Sequence, residues 1–412
     1  MKNKPGLVVI FLTVFIDLIG FGIVIPILPA LTHSLNVQPF FIGSYAVPVS
    51  VQVGFIFTSF SLMQFLLSPF WGALSDRVGR RPIILLGLFG SCVSYIIFAY
   101  STTVIWLLIS RAFAGVFGAN IAVANAYIAD ITTKENRAKG MGLIGAAFGL
   151  GFILGPFIAA MLMGYEGWGF KLPSLAAAAI CGVNFLVALF ILVESLPPEK
   201  RNKTMRYQLI GDWTLLGSRP ILGTLVALFF LSCLAFSVFE VMFTLFYMQS
   251  GNYYFTASKN AARECGFLLA YIGFLSALVQ GGLIGRLAKK YGSARLLIVS
   301  SVGFVIGVGF IPVTTGIGSL MLVLSVMALA LGLNRPSVFN LLSLNTSSEQ
   351  QGEVLGIAQS AGSLARIVCY PLAGFLFTIT PGLPFWVGGA LMVIGLMLSV
   401  LLLKFQGTKA MV

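Results

Sequence analysis

Charge is scarce in this chain. Of its 412 residues 58% are hydrophobic and only 9% are Asp, Glu, Lys or Arg. A soluble domain carries roughly 25% charged residues, so there is too little polar surface to clothe a water-soluble core. Acids are scarcer than bases, 12 against 25, and the net charge is +13. That balance suggests nucleic acid only until the bases are located. They lie in short segments between apolar runs, where membrane topology puts them, so no nucleic-acid partner is expected. Cysteines number five: Cys92, Cys181, Cys233, Cys265 and Cys369. They stand singly in or beside apolar runs, and an odd count without C-x-x-C excludes a disulfide framework and a zinc site. No metal is expected. The lone histidine, His33, sits in a loop and is read as incidental. There is no Gly-Lys dipeptide, hence no P-loop for ATP, and no cofactor or enzymatic activity is expected. Energy must come from an ion gradient or from the substrate's own gradient.

What the chain has instead is long apolar runs. Each is about 20 residues, enough to cross a bilayer as a helix. Alternating barrel strands are excluded by the continuity of the runs. The expected spans are 7–30, 53–73, 83–100, 103–128, 141–163, 174–195, 221–247, 265–287, 296–314, 318–342, 354–378 and 384–404. The first run is too long for a signal-peptide core and shows no clear cleavage site, so it is read as a retained span. Lys and Arg fix the orientation. Nineteen fall in segments on the side of the termini, three fall opposite, and Arg111, Arg335 and Arg366 lie within spans. Both termini are therefore expected in the cytoplasm.

The sequence also repeats itself. "GALSDRVGRRPIILL" from Gly72 matches "GRLAKKYGSARLLIV" from Gly285, at an offset of 213. "GANIAVANAYIADITTKENRAKGMG" from Gly118 matches "GLNRPSVFNLLSLNTSSEQQGEVLG" from Gly332, at an offset of 214. Two agreeing offsets imply parallel repeats of six spans, an arrangement of secondary transporters with the substrate site near the midplane. The reading is an all-α polytopic membrane protein of twelve transmembrane helices. Residues 1–196 form one six-helix bundle, 197–220 a cytoplasmic linker and 221–412 a second bundle.

These motifs carry a family resemblance. "GALSDRVGRRP" (72–82) resembles the signature loop between spans 2 and 3 of the major facilitator superfamily. "DLIGFGIVIPILP" (17–29), "SLMQFLLSPFWGALSDRVGRRP" (61–82), "RAFAGVFGAN" (111–120), "IADITTKENR" (128–137) and "GAAFGLGFILGP" (145–156) resemble the tetracycline-resistance type of drug:proton antiporter. The superfamily likeness covers nearly the whole chain, and the likeness to the tetracycline-resistance type lies in the N-terminal half.

The charged loop has a physical reading of its own. Gly79 suits left-handed backbone in a tight connection, and Gly72 suits close helix approach. Asp76 can pair with a neighbouring arginine or sit at a helix N-terminus, whose partial charge favours an anion. The resemblance implies a cytoplasmic gate that latches the loop to the start of span 11 near Val354, with Asp130 as a further partner. Alternatively Arg77, Arg80 and Arg81 are topology anchors alone. In the second copy of the loop Lys289 replaces the acid.

A charge within a span is costly and normally faces a cavity where it works. Asp17 in span 1 and Glu240 in span 7 are the candidate proton carriers; the resemblance also places an acid at the position of Asp17. Arg111 matches the family's span-4 arginine, implicated in proton transfer. Arginine does not deprotonate usefully, so its role would be to tune a nearby acid. Arg335 and Arg366 either pair with Glu240 or bind an anionic substrate group. "GAAFGLGFILGP" holds G-x-x-x-G twice, Gly145/Gly149 and Gly151/Gly155, followed by Pro156, which bends the helix. The resemblance implies an antiporter motif there. Gln64, which matches a substrate-contacting position of tetracycline exporters, is expected in the substrate cavity with Asn120, Asn125 and Asn334.

The lead reading is therefore proton-coupled efflux of lipophilic small molecules from a monomer in the cell membrane. Tetracycline exporters of this type carry an acid in span 3, where this chain has Ser94, and another in span 9, where it has none. Those acids serve a cationic metal–drug chelate, so tetracycline itself is not the expected cargo. The alternatives are a facilitator or importer of a metabolite or organic anion, and a transporter-like sensor or lipid-handling protein.

Overall fold

Apolar runs of this length fold as helices because a helix satisfies every backbone N–H and C=O within its own segment. The computed structural model describes residues 4–35, 41–42, 45–118, 120–132, 134–163, 165, 167–201, 219–249, 261–346 and 351–409. The helices of the first half are α1 (Lys4–Leu35), α2 (Val49–Val78), α3 (Arg80–Ala99), α4 (Val104–Phe117), α5 (Asn120–Ile131), α6 (Lys134–Leu162) and α7 (Lys171–Ile191). Those of the second half are α8 (Pro220–Gln249), α9 (Ala261–Leu278), α10 (Ile284–Tyr291), α11 (Ser293–Gly309), α12 (Ile317–Leu344), α13 (Gln351–Ile379) and α14 (Leu383–Lys409). Between α1 and α2, β1 (Phe41–Ile42) pairs antiparallel with β2 (Tyr45–Ala46).

Among the described residues nine helical stretches are long and apolar enough to cross a bilayer. Val104–Phe117, Gly149–Leu162 and Ser293–Gly309 are apolar but shorter. Large apolar side chains stand on the outer faces: Phe190 is 82% exposed and Leu322 66%. Such surface is untenable in water and natural against acyl chains.

By internal packing the chain divides into two units, Met1–Leu209 with Ala262–Ala270, and Ile210–Ala261 with Tyr271–Val412. In the first, Ile10 and Val14 of α1, Ile84 and Leu88 of α3, Val123 and Ile128 of α5 and Ala188 of α7 share one core. In the second, Leu225 and Leu228 of α8, Leu297 of α11, Leu342 of α12, Ala358 of α13 and Leu402 of α14 share another. Of the expected linker 197–220, residues 202–218 fall outside the described residues.

Two expected spans are interrupted well inside their length. Span 103–128 is interrupted after Phe117. A Cβ on Gly115 would run into the carbonyl of Phe60, so α4 lies directly on the backbone of α2. Carbonyls left over at the interruption are met by α2. Trp71 Nε1 donates to Val116 O at 2.6 Å, and Gln64 Nε2 donates to Gly118 O at 2.9 Å. Broken backbone is tolerable at membrane depth only with such partners. Span 265–287 passes from α9 through a π-turn, Val279–Leu283, into α10.

The repeat is visible in the backbone. Gly79 alone separates α2 from α3, and Gly292 alone separates α10 from α11. Both have positive φ, +109° and +80°, a region that a Cβ disfavours. They lie 213 residues apart, the offset of the sequence repeat.

Candidate functional site

The charged turn is a closed electrostatic knot. Arg80 opens α3 and is 7% exposed. All three of its guanidinium nitrogens are used: Nη2 pairs with Asp76 at 2.6 Å, Nε with Asp130 at 3.1 Å, and Nη1 donates to Ser75 Oγ at 2.6 Å. Ser195 Oγ donates to the same Asp130 oxygen at 3.1 Å. Arg81 Nη2 donates to Leu189 O at 2.7 Å, while Arg77 is exposed. Asp76 thus pairs with a neighbouring arginine, one turn ahead on the chain. A buried, fully bonded charge of this kind holds its surroundings in one geometry, because losing any partner strands the others.

Glu194 is a carboxylate seated at a helix N-terminus, that of α3. Its Oε1 accepts from Arg80 N at 2.8 Å and Leu196 N at 3.0 Å, and its Oε2 from Arg81 N at 3.2 Å. The two arginine N–H groups are orphan donors of α3's first turn. A Cβ on Gly79 would collide with the Glu194 carboxylate, so two constraints, φ and space, fall on that glycine. Glu194 was missed in the sequence because it sits 114 residues from Arg80, at the end of the expected span 174–195. Gly72 needs correction. Among the described residues nothing lies within 4 Å of a Cβ built there, and none of them makes the close approach expected of it.

Glu194→Gln keeps an acceptor but loses the charge; Glu194→Ala loses both. Their expected costs are several tenths and about 1–2 kcal/mol respectively. Thermal unfolding of the purified protein checks this ranking. An alanine variant that melts with the parent would remove Glu194 from the knot.

Asp17 is half-buried on α1, and the turn that follows it is gripped on two sides. On one side lies α6. A Cβ on Gly151 would be 2.6 Å from Leu18 Cβ, and one on Gly155 would be 2.6 Å from Gly22 Cα and 2.7 Å from Ile19 O. The glycines expected as an antiporter motif thus let α6 meet α1 backbone to backbone. Helix α6 continues through Pro156, whose Cδ borders Gly22. Gly149 is half-buried, and the surroundings of Gly145 lie outside what is described. On the other side, a Cβ on Gly20 would be 2.5 Å from the hydroxyl of Tyr95.

Tyr95 links the acid to Arg111. It interacts electrostatically with both Asp17 and Arg111. Arg111 is 3% exposed, and its Cζ stands 4.6 Å from the ring centroid of Phe98 and 5.3 Å from that of Tyr95. Cation–π contact supports a guanidinium in apolar surroundings. Among the described residues no carboxylate pairs with Arg111, and its Nε and Nη2 have no hydrogen-bond partner. The group that Arg111 meets here is a phenol. Phenols escaped the sequence reading, although a Tyr within a span needs a partner for its hydroxyl.

The second unit repeats the theme. Glu240 on α8 is 4% exposed, and Tyr370 of α13 donates to its Oε2 at 2.8 Å. Arg366 acts on it through space and donates from Nη2 to Ser363 Oγ at 3.3 Å. Arg335 lies over the ring of Phe339, 5.5 Å from its centroid. Rings of Phe236, Phe239, Phe243 and Tyr247 follow one another along α8 at centroid distances of 4.7–6.2 Å.

The amides are placed by their neighbours. Asn334 is enclosed between helices. It is 3% exposed, and its Nδ2 donates to Ser232 and Ser300 at 3.1 and 3.2 Å, tying α8, α11 and α12 together. Gln64 is half-buried with its amide nitrogen committed to Gly118. Asn125 is half-buried on α5, and the side chain of Asn120 lies outside the described residues.

Apolar helices clothed for lipid, carboxylates within them and a charged turn define a multi-pass membrane transporter. The model of the Major Facilitator Superfamily matches residues 10–368 and 264–410, and the chain belongs to that superfamily. It is 33% identical to the class C tetracycline resistance protein of Escherichia coli, over 89% of this chain and 88% of that one. It is 30% identical to multidrug resistance protein 2 of Bacillus subtilis (strain 168), over 97% and 95%. The crystal structure of the human organic anion transporter MFSD10 (TETRAN) superposes with a TM-score of 0.72 at 25% identity, covering 97% of this chain and 100% of that one. The crystal structure of nucleoside transporter NupG, at 13% identity and a TM-score of 0.69 over 97% and 99%, shares the fold. The all-helical architecture is the major facilitator fold.

Proposed function

We propose that this transporter exports lipophilic small molecules across the cell membrane in exchange for protons, by alternating access, with Asp17 as proton carrier and the charged turn as the cytoplasmic gate. One observation carries the reading. Asp17 is an intramembrane carboxylate whose helix is clamped at the next turn by Gly151 and Gly155 of α6 and touched by Tyr95. A carboxylate so placed changes charge with small changes in its surroundings. The tetracycline and multidrug resistance relatives, at about 30% identity, support small-molecule efflux. Glu240, held by Tyr370, is a second proton carrier in this scheme.

The test uses vesicles holding the purified protein and an internal pH dye. Lipophilic cations and neutral drugs added under a proton gradient are expected to release protons in proportion to drug moved. Drug movement with no proton movement would refute antiport.

A second reading, organic-anion transport, draws on Arg366, which acts on Glu240 through space, on Arg335, which with Arg366 acts on Cys233, and on the likeness to a human organic anion transporter. It requires anion uptake that Arg366→Gln abolishes and an imposed pH gradient leaves unchanged.

A further inference from the structure

The repeated turn has opposite chemistry in its two copies. In the first, every nitrogen of the Arg80 guanidinium has a protein partner and Glu194 caps the following helix. In the second, at the offset of 213, Lys289 stands in place of Asp76 and Ser293 in place of Arg80. Ser293 Oγ accepts from Asn340 Nδ2 at 2.8 Å, a neutral contact. Arg286, Lys289, Lys290 and Arg295 are all exposed, and among the described residues none of them has an ion pair. Four cations are thus left with no countercharge from the described protein.

The helix that carries three of them is built for a boundary. No residue of α10 is buried. Ile284, Leu287, Ala288 and Tyr291 share one face at helical spacing, while Arg286, Lys289 and Lys290 share another. Leu283, just before it, is 46% exposed and Tyr291 44%. Among the described residues nothing lies within 4 Å of a Cβ built on Gly281, Gly282 or Gly285. Exposed apolar groups beside exposed cations, at the end of a membrane-crossing stretch, match the border between acyl chains and headgroups.

We propose that α10 and Arg295 bind the phosphate headgroups of anionic phospholipids, with Leu283 and Tyr291 seated at the acyl boundary. Charge complementarity selects this partner. A phosphodiester supplies the anion that Asp76, Asp130 and Glu194 supply in the first copy. Near an anionic leaflet each added cation strengthens attachment about fivefold, and neighbouring cations act together within a Debye length.

Native mass spectrometry of the full-length protein, equilibrated with mixed phosphatidylglycerol and phosphatidylcholine, reads the retained lipid. The parent is expected to retain phosphatidylglycerol in preference. Lys289→Gln/Lys290→Gln should weaken that retention by about twenty-fivefold, and the milder Arg286→Gln by about fivefold. Lys289→Arg/Lys290→Arg should preserve it. Lys404→Gln/Lys409→Gln, an equal loss of charge elsewhere, should also leave it unchanged. Full retention in both the Gln double variant and Arg286→Gln would overturn the proposal. So would an equal loss in the Lys404/Lys409 control, or displacement of the lipid by inorganic phosphate.

Discussion

Asp17→Asn is expected to abolish export against a gradient while leaving downhill exchange of the same compound in place. Asparagine is nearly isosteric with the protonated acid, so the clamp around Leu18–Gly22 remains satisfied. What disappears is the second charge state. In the proposed cycle, protonation from outside neutralises the acid and favours reopening to the cytoplasm. Release of the proton inside then restores a charge that a cationic substrate or a protein donor must meet. A permanently neutral side chain cannot complete that cycle. The expected fall in gradient-driven flux is about a hundredfold or more, the scale of losing a proton-transferring group. Glu240→Gln has two separable outcomes. If Glu240 shares the coupling, the proton flux per molecule moved changes; if it does not, only the range of compounds changes, because Tyr370 loses a charged acceptor. Drug-dependent proton flux in vesicles with an imposed pH gradient decides. Undiminished flux in Asp17→Asn assigns coupling elsewhere, and undiminished flux in the double variant removes both carboxylates from the mechanism.

Gly155→Val is expected to be strongly destabilising. Its Cβ alone would stand 2.6 Å from Gly22 Cα and 2.7 Å from Ile19 O, both backbone atoms. A side-chain tip could turn away, whereas backbone yields only if the helices separate. Overpacking of a tight contact costs roughly 1–3 kcal/mol, and separating α6 from α1 also loosens the turn beside Asp17. Transport should therefore fail even in the fraction that folds. Gly72→Ala is the contrast. The site is helical, and among the described residues nothing lies within 4 Å of the new Cβ. Replacing a mid-helix glycine by alanine there is expected to be neutral or stabilising by up to about 1 kcal/mol. Thermal unfolding in detergent, with transport measured beside it, checks both. A Gly155→Val protein with the parent's melting temperature and transport rate would refute the clamp.

Composition and periodicity by themselves determined much of this protein. Apolar runs of bilayer length, with too little charge for any other solvent, left membrane helices as the only way to satisfy the backbone. The 213-residue repeat and the glycine of the charged turn were legible too. Gly79 and Gly292 adopt positive φ because a one-residue connection between helices requires it. These are local properties, carried by a few neighbouring residues.

Partner choice was decided by the tertiary structure, because it depends on which helices lie side by side. Nothing near Glu194 in the chain reveals that its carboxylate caps a helix beginning 114 residues earlier. Gly72 and Gly155 look equally fit for close packing, yet among the described residues one meets nothing within 4 Å and the other a backbone. Asn334 shows no partner in the sequence until Ser232 and Ser300 arrive from other helices to take its donors. Arg111 calls for a partner and receives the faces of Tyr95 and Phe98. In each case the sequence stated a need, a donor to satisfy, a charge to shelter or a face to fill. Only the assembled helices determined which group met it, because such contacts join residues whose separation along the chain carries no trace of their proximity.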